Sequence, residues 1–182
     1  EDSTLIENIL YSKDFPWFFS EFKNSTVSKK HREIYKNNLN IVDKGQLVHE
    51  FISTIDNRIT KSNYIEVVDK ILQQYCTKTN IKEIDIIRVK ANLVFSNSEY
   101  NMNTYSVPHK DYDFKHTVLI YYVNQSVGDT ILFDSNLKNV CRIPPEKGKL
   151  ITFDGDILHS AGHPFSNETR CVINFNVRIK NA

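Results

Sequence analysis

His109, Asp111, His159 and Arg170 are the residues whose types and spacing could do chemistry. His109-Lys110-Asp111 is a His-x-Asp pair. On an extended strand alternate residues share a face, so the imidazole and the carboxylate can grip one cation while Lys110 points away. His159, fifty residues further on, supplies a second imidazole. Two His and one carboxylate occupy one face of an octahedral Fe(II) and leave positions for O2 and a co-substrate, so the chemistry suggested is oxidative.

Each residue has a competitor or a plainer reading. Asp113 shares the parity of Asp111, and His116 is a further nearby imidazole; the compact spacing favours Asp111. Pro108 closes a loop just before the pair and an apolar strand follows it, which puts the pair at a strand end beside a core. For the distal ligand, His159 competes with His163. His159 closes the apolar segment Leu150 to Leu158, whereas His163 lies between Gly162 and Pro164, and a preorganised ligand belongs on the rigid element. Without the other residues, His159 would read as a core histidine satisfied by backbone.

Arg170 opens an alternating strand, with Cys171, Ile173, Phe175 and Val177 on one face and Arg170, Val172, Asn174 and Asn176 on the other. Such an Arg could face solvent or pair with Glu168. A few residues beyond a metal-binding His, it is suited to holding a dicarboxylate through a bidentate fork. Asn174 would lie deeper on the same face, as a contact to co-substrate or to a ligand.

The elements that must position these groups are mostly strands. From Ser62, a candidate N-cap, Ile65, Val68, Ile71, Leu72 and Tyr75 recur at helical spacing to about Lys78 and predict an amphipathic helix backing a sheet. Leu5 to Tyr11 reads as a short helix, Phe15 to Phe19 as an aromatic cluster broken by Pro16, and Gln46 to Ile52 as strand or helix. From Ile84 the period becomes two, with Ile84 and Ile86 set against Ile87, Val89, Ala91 and Leu93. Further strands are expected at Val107 to Tyr112, His116 to Asn124, Thr130 to Asp134, Asn139 to Ile143, Lys149 to Phe153, Ile157 to Ser160 and Arg170 to Ile179. Gly128, Pro144-Pro145, Gly148 and Gly155 mark the turns. Seven or eight short strands so spaced suggest a sandwich or barrel of the jelly-roll type, mainly β with flanking helices. The expected organisation is a single domain, 1–182, with residues 1–80 as mixed helical support and 84–180 as the core.

Composition narrows the partners. The chain has 182 residues, 40% of them apolar, enough for a sizeable core. With 23 basic and 22 acidic residues, no global field draws in nucleic acid or an anionic membrane. The longest apolar run, Val118 to Val123, is far too short for a bilayer, and no basic segment followed by an apolar one opens the chain. Cys76, Cys141 and Cys171 are odd in number and far apart, against both a disulfide framework and a zinc cage. The expectation is a soluble, cytoplasmic protein. Because the chain opens on Glu1 rather than Met, further N-terminal sequence is also expected. Lys29-Lys30-His31-Arg32 reads as a solvated basic face.

Taken together, His109-x-Asp111, His159 and Arg170 resemble the Fe(II)- and 2-oxoglutarate-dependent dioxygenases, in particular the prolyl 4-hydroxylase-like group. The resemblance spans roughly Ile84 to Ile179. It implies a double-stranded β-helix core on which His109, Asp111 and His159 hold Fe(II) while Arg170 binds the 5-carboxylate of 2-oxoglutarate. The strand Leu119-Ile120-Tyr121-Tyr122-Val123-Asn124 matches the family's strand whose second Tyr hydrogen-bonds the co-substrate, here Tyr122. Two features stand apart. The Tyr-Pro pair that many prolyl hydroxylases carry before the metal motif is Val94-Phe95 here, and Asp111 occupies the position that is Gly or Ala in the related halogenases, which argues against halogenation.

The activity implied is hydroxylation of a C–H bond with Fe(II), 2-oxoglutarate and O2, on a prolyl residue of a peptide or protein or on a small molecule. Ser96 to Ser106, with Tyr100, Met102 and Tyr105, is a substrate-loop candidate or an ordinary surface loop. The rival is a non-catalytic, cupin-like module whose histidines are structural or hold zinc. A hydrolase is disfavoured, because no nucleophile-base pair or oxyanion motif is visible.

Overall fold

The computed structural model describes residues 2–21, 38–42, 44–55, 59–134, 136, 139–166 and 168–180; the basic run Lys29-Lys30-His31-Arg32 lies outside them. In chain order the elements are α1 (Asp2–Leu10), β1 (Phe18–Ser20), β2 (Gln46–Ser53), β3 (Thr60–Lys61) and α2 (Ile65–Thr79). They continue with β4 (Glu83–Phe95), β5 (Thr117–Tyr122), β6 (Thr130–Phe133), β7 (Asn139–Ile143), β8 (Leu150–Asp154), β9 (Leu158–Ala161) and β10 (Thr169–Lys180). The large sheet has the order β1-β2-β4-β10-β5-β8 with β3 added to β2, and the small sheet the order β7-β6-β9. All pairings between these strands are antiparallel. The architecture is a jelly-roll core with two helices among the described residues.

The large sheet has two different faces, and the alternation in its strands decides which is which. Val89, Ala91 and Leu93 of β4, Leu119 and Tyr121 of β5, and Ile173, Phe175 and Val177 of β10 form an apolar surface. The stripes of α1 (Ile6, Leu10) and α2 (Ile65, Val68, Ile71, Leu72) cover it. Each fully buried aliphatic or aromatic side chain here contributes roughly 1.5–3 kcal/mol relative to exposure. On the opposite face, Val118, Ile120, Tyr122, Phe153 and Val172 make a second cluster, closed from the small-sheet side by Leu132, Ile143 and Ile157. The space between the sheets holds the candidate site.

Local chemistry explains where elements differ from expectation. Ile84 and Ile86 pack with Val89, Ala91 and Leu93 rather than opposite them, because the β4–β10 register shifts so that Arg88 faces Asn176 while Ile86 faces Val177. Ile87 is the extra residue of a bulge, and it flips the parity of everything before it. The helix starts at Ile65 behind Tyr64, and the Ser62 hydroxyl accepts from the Tyr64 N–H (3.1 Å), so it organises the turn before the helix. Residues 107–112 do not form a continuous strand. His109 makes an isolated two-bond bridge with His159 (3.0 Å each way). Pro108 has no N–H to extend that ladder, and Asp111 already sits in a bend. Among the described residues, the first eighty positions contribute three strands to the large sheet besides the two helices.

Candidate functional site

His109 and His159 are fixed to each other by their own backbones. The bridge brings their rings to a centroid separation of 4.6 Å. In each case Nδ1 faces a main-chain carbonyl, Val107 O at 3.0 Å and Ile157 O at 3.3 Å. A carbonyl can only accept, so Nδ1 is the donor nitrogen of each ring and Nε2 is the nitrogen turned to the cavity. Both Nε2 atoms look at Asp111, at 3.8 Å from Oδ1 and 3.7 Å from Oδ2. One ligand atom from each of the three residues lies within 4.8 Å of the others, and no other such group occurs among the described residues.

This geometry suits a cation. Burial, reinforced by His159, pushes the His109 pKa down to about 3, so its imidazole is neutral at ordinary pH. Burial alone would raise the Asp111 pKa. The neighbouring His159, His109 and Arg88, with the Asn176 amide, outweigh it and hold the carboxyl well below its usual range. Asn176 Nδ2 donates to Asp111 Oδ2 at 2.8 Å and Asn174 Nδ2 at 3.2 Å, while Arg88 Nη2 lies 3.6 Å from Oδ1. The carboxylate is aimed by β4 and β10, not by its own bend. Lys110 turns outward to Asp156 (3.0 Å).

The competing residues are engaged elsewhere. Asp113 is exposed. The His116 ring packs where a Cβ on Gly155 would stand, 2.2 Å from Cε1, and its Nδ1 faces Phe114 O. His163 is buried against Tyr100, with Nε2 3.1 Å from Val42 O.

Arg170 lines the same cavity as the triad. It is 2% exposed, yet its contacts are neutral: Nε donates to Gly128 O (2.7 Å) and Nη2 to Thr130 Oγ1 (3.0 Å). Glu168, its nearest acid in sequence, is exposed, and Asp129, which lies between Gly128 and Thr130, is paired with Arg142 at 2.9 Å. Burial lowers the Arg170 pKa, an indication of how poorly the site solvates its charge. Tyr122 is fully buried and its hydroxyl donates to Thr130 Oγ1 at 2.7 Å. Thr130 lines the cavity, and Tyr122 reaches it through Thr130. Asn174 lines the cavity beside Asp111, and its Oδ1 is buried with no partner among the described residues. Val94 is buried in the cavity wall, and Phe95 is exposed.

Reading the sequence for ligands missed the floor of the cavity. Gln46, Lys90 and Asn92 line it, with Arg88 next along β4. Their signal was present, since Arg88, Lys90 and Asn92 alternate with Val89, Ala91 and Leu93. Polar residues alternating along a strand ordinarily face water, and only the pairing of β4 inside the sheet turns them toward a site. Ser96 to Ser106 is held down by Tyr105, which bridges both Ile41 and Gly162.

No protein-family model and no curated protein matches this sequence. Solved structures do match the shape. A 2OG-Fe(II) oxygenase family oxidoreductase from Burkholderia pseudomallei superimposes with a TM-score of 0.60 over 99% of this chain and 92% of its own, at 9% identity. This chain has the oxygenase fold. A Trichoplax adhaerens prolyl hydroxylase, solved with a hypoxia inducible factor peptide, shares the fold at a TM-score of 0.51 and 14% identity, over 96% of this chain and 88% of its own. So does the non-heme alpha ketoglutarate dependent epimerase SnoN from nogalamycin biosynthesis, at 0.52 and 10% over 74% of this chain and 61% of its own. Among the described residues no helix is long and apolar enough to cross a membrane.

Proposed function

We propose that this protein is an Fe(II)- and 2-oxoglutarate-dependent dioxygenase that hydroxylates a C–H bond. One observation carries the reading: a His-Asp-His triad and a buried arginine without a carboxylate partner among the described residues line one cavity. A buried guanidinium whose contacts are neutral calls for an anion. A triad of this donor type leaves room for a bidentate co-substrate. 2-Oxoglutarate satisfies both ends, with a keto acid for the metal and a distal carboxylate for the arginine.

In this reading His109 and His159 present Nε2 to Fe(II), and Asp111 offers the carboxylate that Asn174, Asn176 and Arg88 aim. Bound there, ferrous iron supplies the chemistry by which O2 converts 2-oxoglutarate to succinate and CO2 and places its second oxygen atom in the substrate C–H bond. Arg170 and Thr130 hold the distal carboxylate. Thr130 Oγ1 accepts from both Tyr122 and Arg170, which leaves its own proton to donate into the cavity. Val94, Ile120 and Val172 give the cavity apolar walls that limit water around the reacting groups.

A prolyl group in a peptide or protein is the substrate reading supported by the likeness to the Trichoplax enzyme. A small molecule is the second reading, favoured by the likeness to SnoN and by a cation in the cavity floor. The deciding experiment for the activity is anaerobic titration of the Fe(II)-loaded protein with 2-oxoglutarate. A visible charge-transfer band is expected, followed by succinate on admitting O2. Tight zinc binding with neither band nor succinate would establish the cupin-like alternative.

A further inference from the structure

The cavity has a polar side that the co-substrate reading leaves unused. Arg170, Thr130 and Tyr122 lie toward β5 and the small sheet, whereas Lys90, Asn92 and Gln46 lie on β4 and β2, across β10 from β5. Lys90 is opposite Asn174 in the β4–β10 register and opposite Glu50 in the β2–β4 register. Its ammonium is therefore one strand away from the residues that hold Asp111.

Lys90 is half-buried, and no hydrogen bond or ion pair joins it to any described residue. Its neighbours do not supply what it lacks. Arg88 is a like charge that already attends Asp111 and lies over the Tyr112 ring. Asp111 is shared among two histidines, two asparagines and Arg88. Glu50 is exposed and accepts from the Thr60 hydroxyl at 3.0 Å. Burial, then Arg88, brings the Lys90 pKa down to about 8, as expected for a cation drawn out of water without a close counter-ion. Beside it, Gln46 Nε2 donates to Asn92 Oδ1 at 3.2 Å, which leaves the Asn92 amide N–H groups directed elsewhere on the same wall.

We propose that Lys90 is the specificity residue of the oxidised substrate and that it binds a carboxylate, so the substrate is a carboxylic acid and not the interior of a polypeptide. A monoanion is indicated because a single lysine, flanked by neutral amides and facing Glu50 across the strand pair, is too weak a field for a phosphate dianion. The unpartnered Oδ1 of Asn174, next to Lys90 in register, would accept an N–H or O–H of the same molecule. A free or C-terminal proline has this chemistry, as do other small hydroxy or amino acids. An internal prolyl residue does not.

The inference rests on the proposed oxygenase reading, and the test separates the two. The Fe(II)-loaded protein is first titrated anaerobically with 2-oxoglutarate; failure to form the chelate band in the unmodified protein defeats the oxygenase reading itself. With the band present, three acid and amide pairs are added: L-proline and L-prolinamide, N-acetyl-L-proline and its amide, and glycyl-L-proline and its amide. Perturbation of the band measures binding and succinate formation measures turnover. At least one acid is expected to bind on the order of tenfold better than its amide, the size of one charge-assisted hydrogen bond. Lys90→Met should erase that preference and Lys90→Arg should keep most of it, while the 2-oxoglutarate concentration that half-forms the band moves less than about threefold in both. Melting curves check that both variants fold. Acids and amides that bind equally, or that both fail to bind, overturn the assignment. So does an internal prolyl peptide turned over equally by the unmodified and Lys90→Met proteins. A Lys90→Met protein that loses 2-oxoglutarate binding would overturn it too, by moving Lys90 to the co-substrate.

Discussion

The Tyr122 hydroxyl and the Arg170 guanidinium converge on one oxygen, Thr130 Oγ1, at 2.7 and 3.0 Å. Both approach as donors, so Thr130 holds the arginine in place and has its own proton left for the cavity. Thr130→Val keeps the shape but removes the acceptor, stranding a buried phenol and one guanidinium nitrogen. We expect the 2-oxoglutarate requirement to rise on the order of tenfold, with a stability loss of about 1–3 kcal/mol. Tyr122→Phe should cost less on both counts, because Thr130 keeps Arg170. Titration of the chelate band and thermal melting separate the two variants; equal losses would place the Tyr122 hydroxyl in direct contact with co-substrate.

Arg170→Met tests the uncompensated charge. A buried cation whose described contacts are all neutral is costly without its anion, so an apolar replacement of similar length should melt at or above the temperature of the unmodified protein when no co-substrate is present. Adding 2-oxoglutarate with Fe(II) should then stabilise only the unmodified protein, because a ligand stabilises in proportion to its binding to the folded state. A variant still stabilised by 2-oxoglutarate to the same degree would remove Arg170 from the binding role.

How much of this was legible in the sequence depended on whether a residue's partner was local. The helix from Ile65 and the two faces of β10 follow from spacing within one segment, and the structure has both. The His109 to His159 approach was suggested only by residue type and order, because the bridge that creates it joins segments fifty residues apart. The roles of Thr130, Asn176 and Lys90 were not visible. Each depends on a cross-strand register, β6 beside β9, β10 beside β4, β4 beside β2, and a bulge at Ile87 that no local pattern announces. The strand expected at 107–112 failed for a related reason: its one ladder partner is a single residue, His159.

Lys90 also makes a pH prediction for stability. Its folded pKa, about 8, lies below the ordinary 10.5, so between these values the unfolded chain binds more protons than the folded one. Stability therefore rises with pH through this window. The charged-lysine penalty is fully present below pH 8 and relieved above 10.5, on the order of 3 kcal/mol. Urea unfolding of the unmodified protein and Lys90→Met across this range should differ most at neutral pH, with Lys90→Met the more stable, and converge toward pH 10.5. A constant difference would mean that the lysine is not destabilised by its setting.

Asn174 and Asn176 provide the test of how the metal site is built. Both amides donate to Asp111 Oδ2, and Asn176 is fully buried while making the shorter bond, 2.8 Å against 3.2 Å. Asp111 sits in a bend with no strand to fix it, so these amides and Arg88 set its orientation. Groups that orient a ligand typically change metal affinity 10- to 100-fold when removed. Asn176→Ala should therefore weaken Fe(II) or Mn(II) binding by about that factor, and Asn174→Ala by less. Once metal is saturating, the 2-oxoglutarate requirement of Asn176→Ala should be nearly that of the unmodified protein, since Arg170 and Thr130 are untouched. Metal titration by competition with a chelating dye, followed by 2-oxoglutarate titration at saturating metal, gives both numbers. If Asn176→Ala left metal affinity unchanged, the orientation of Asp111 would have to come from Arg88 and its own turn, and the charge swap to test next would be Arg88→Gln.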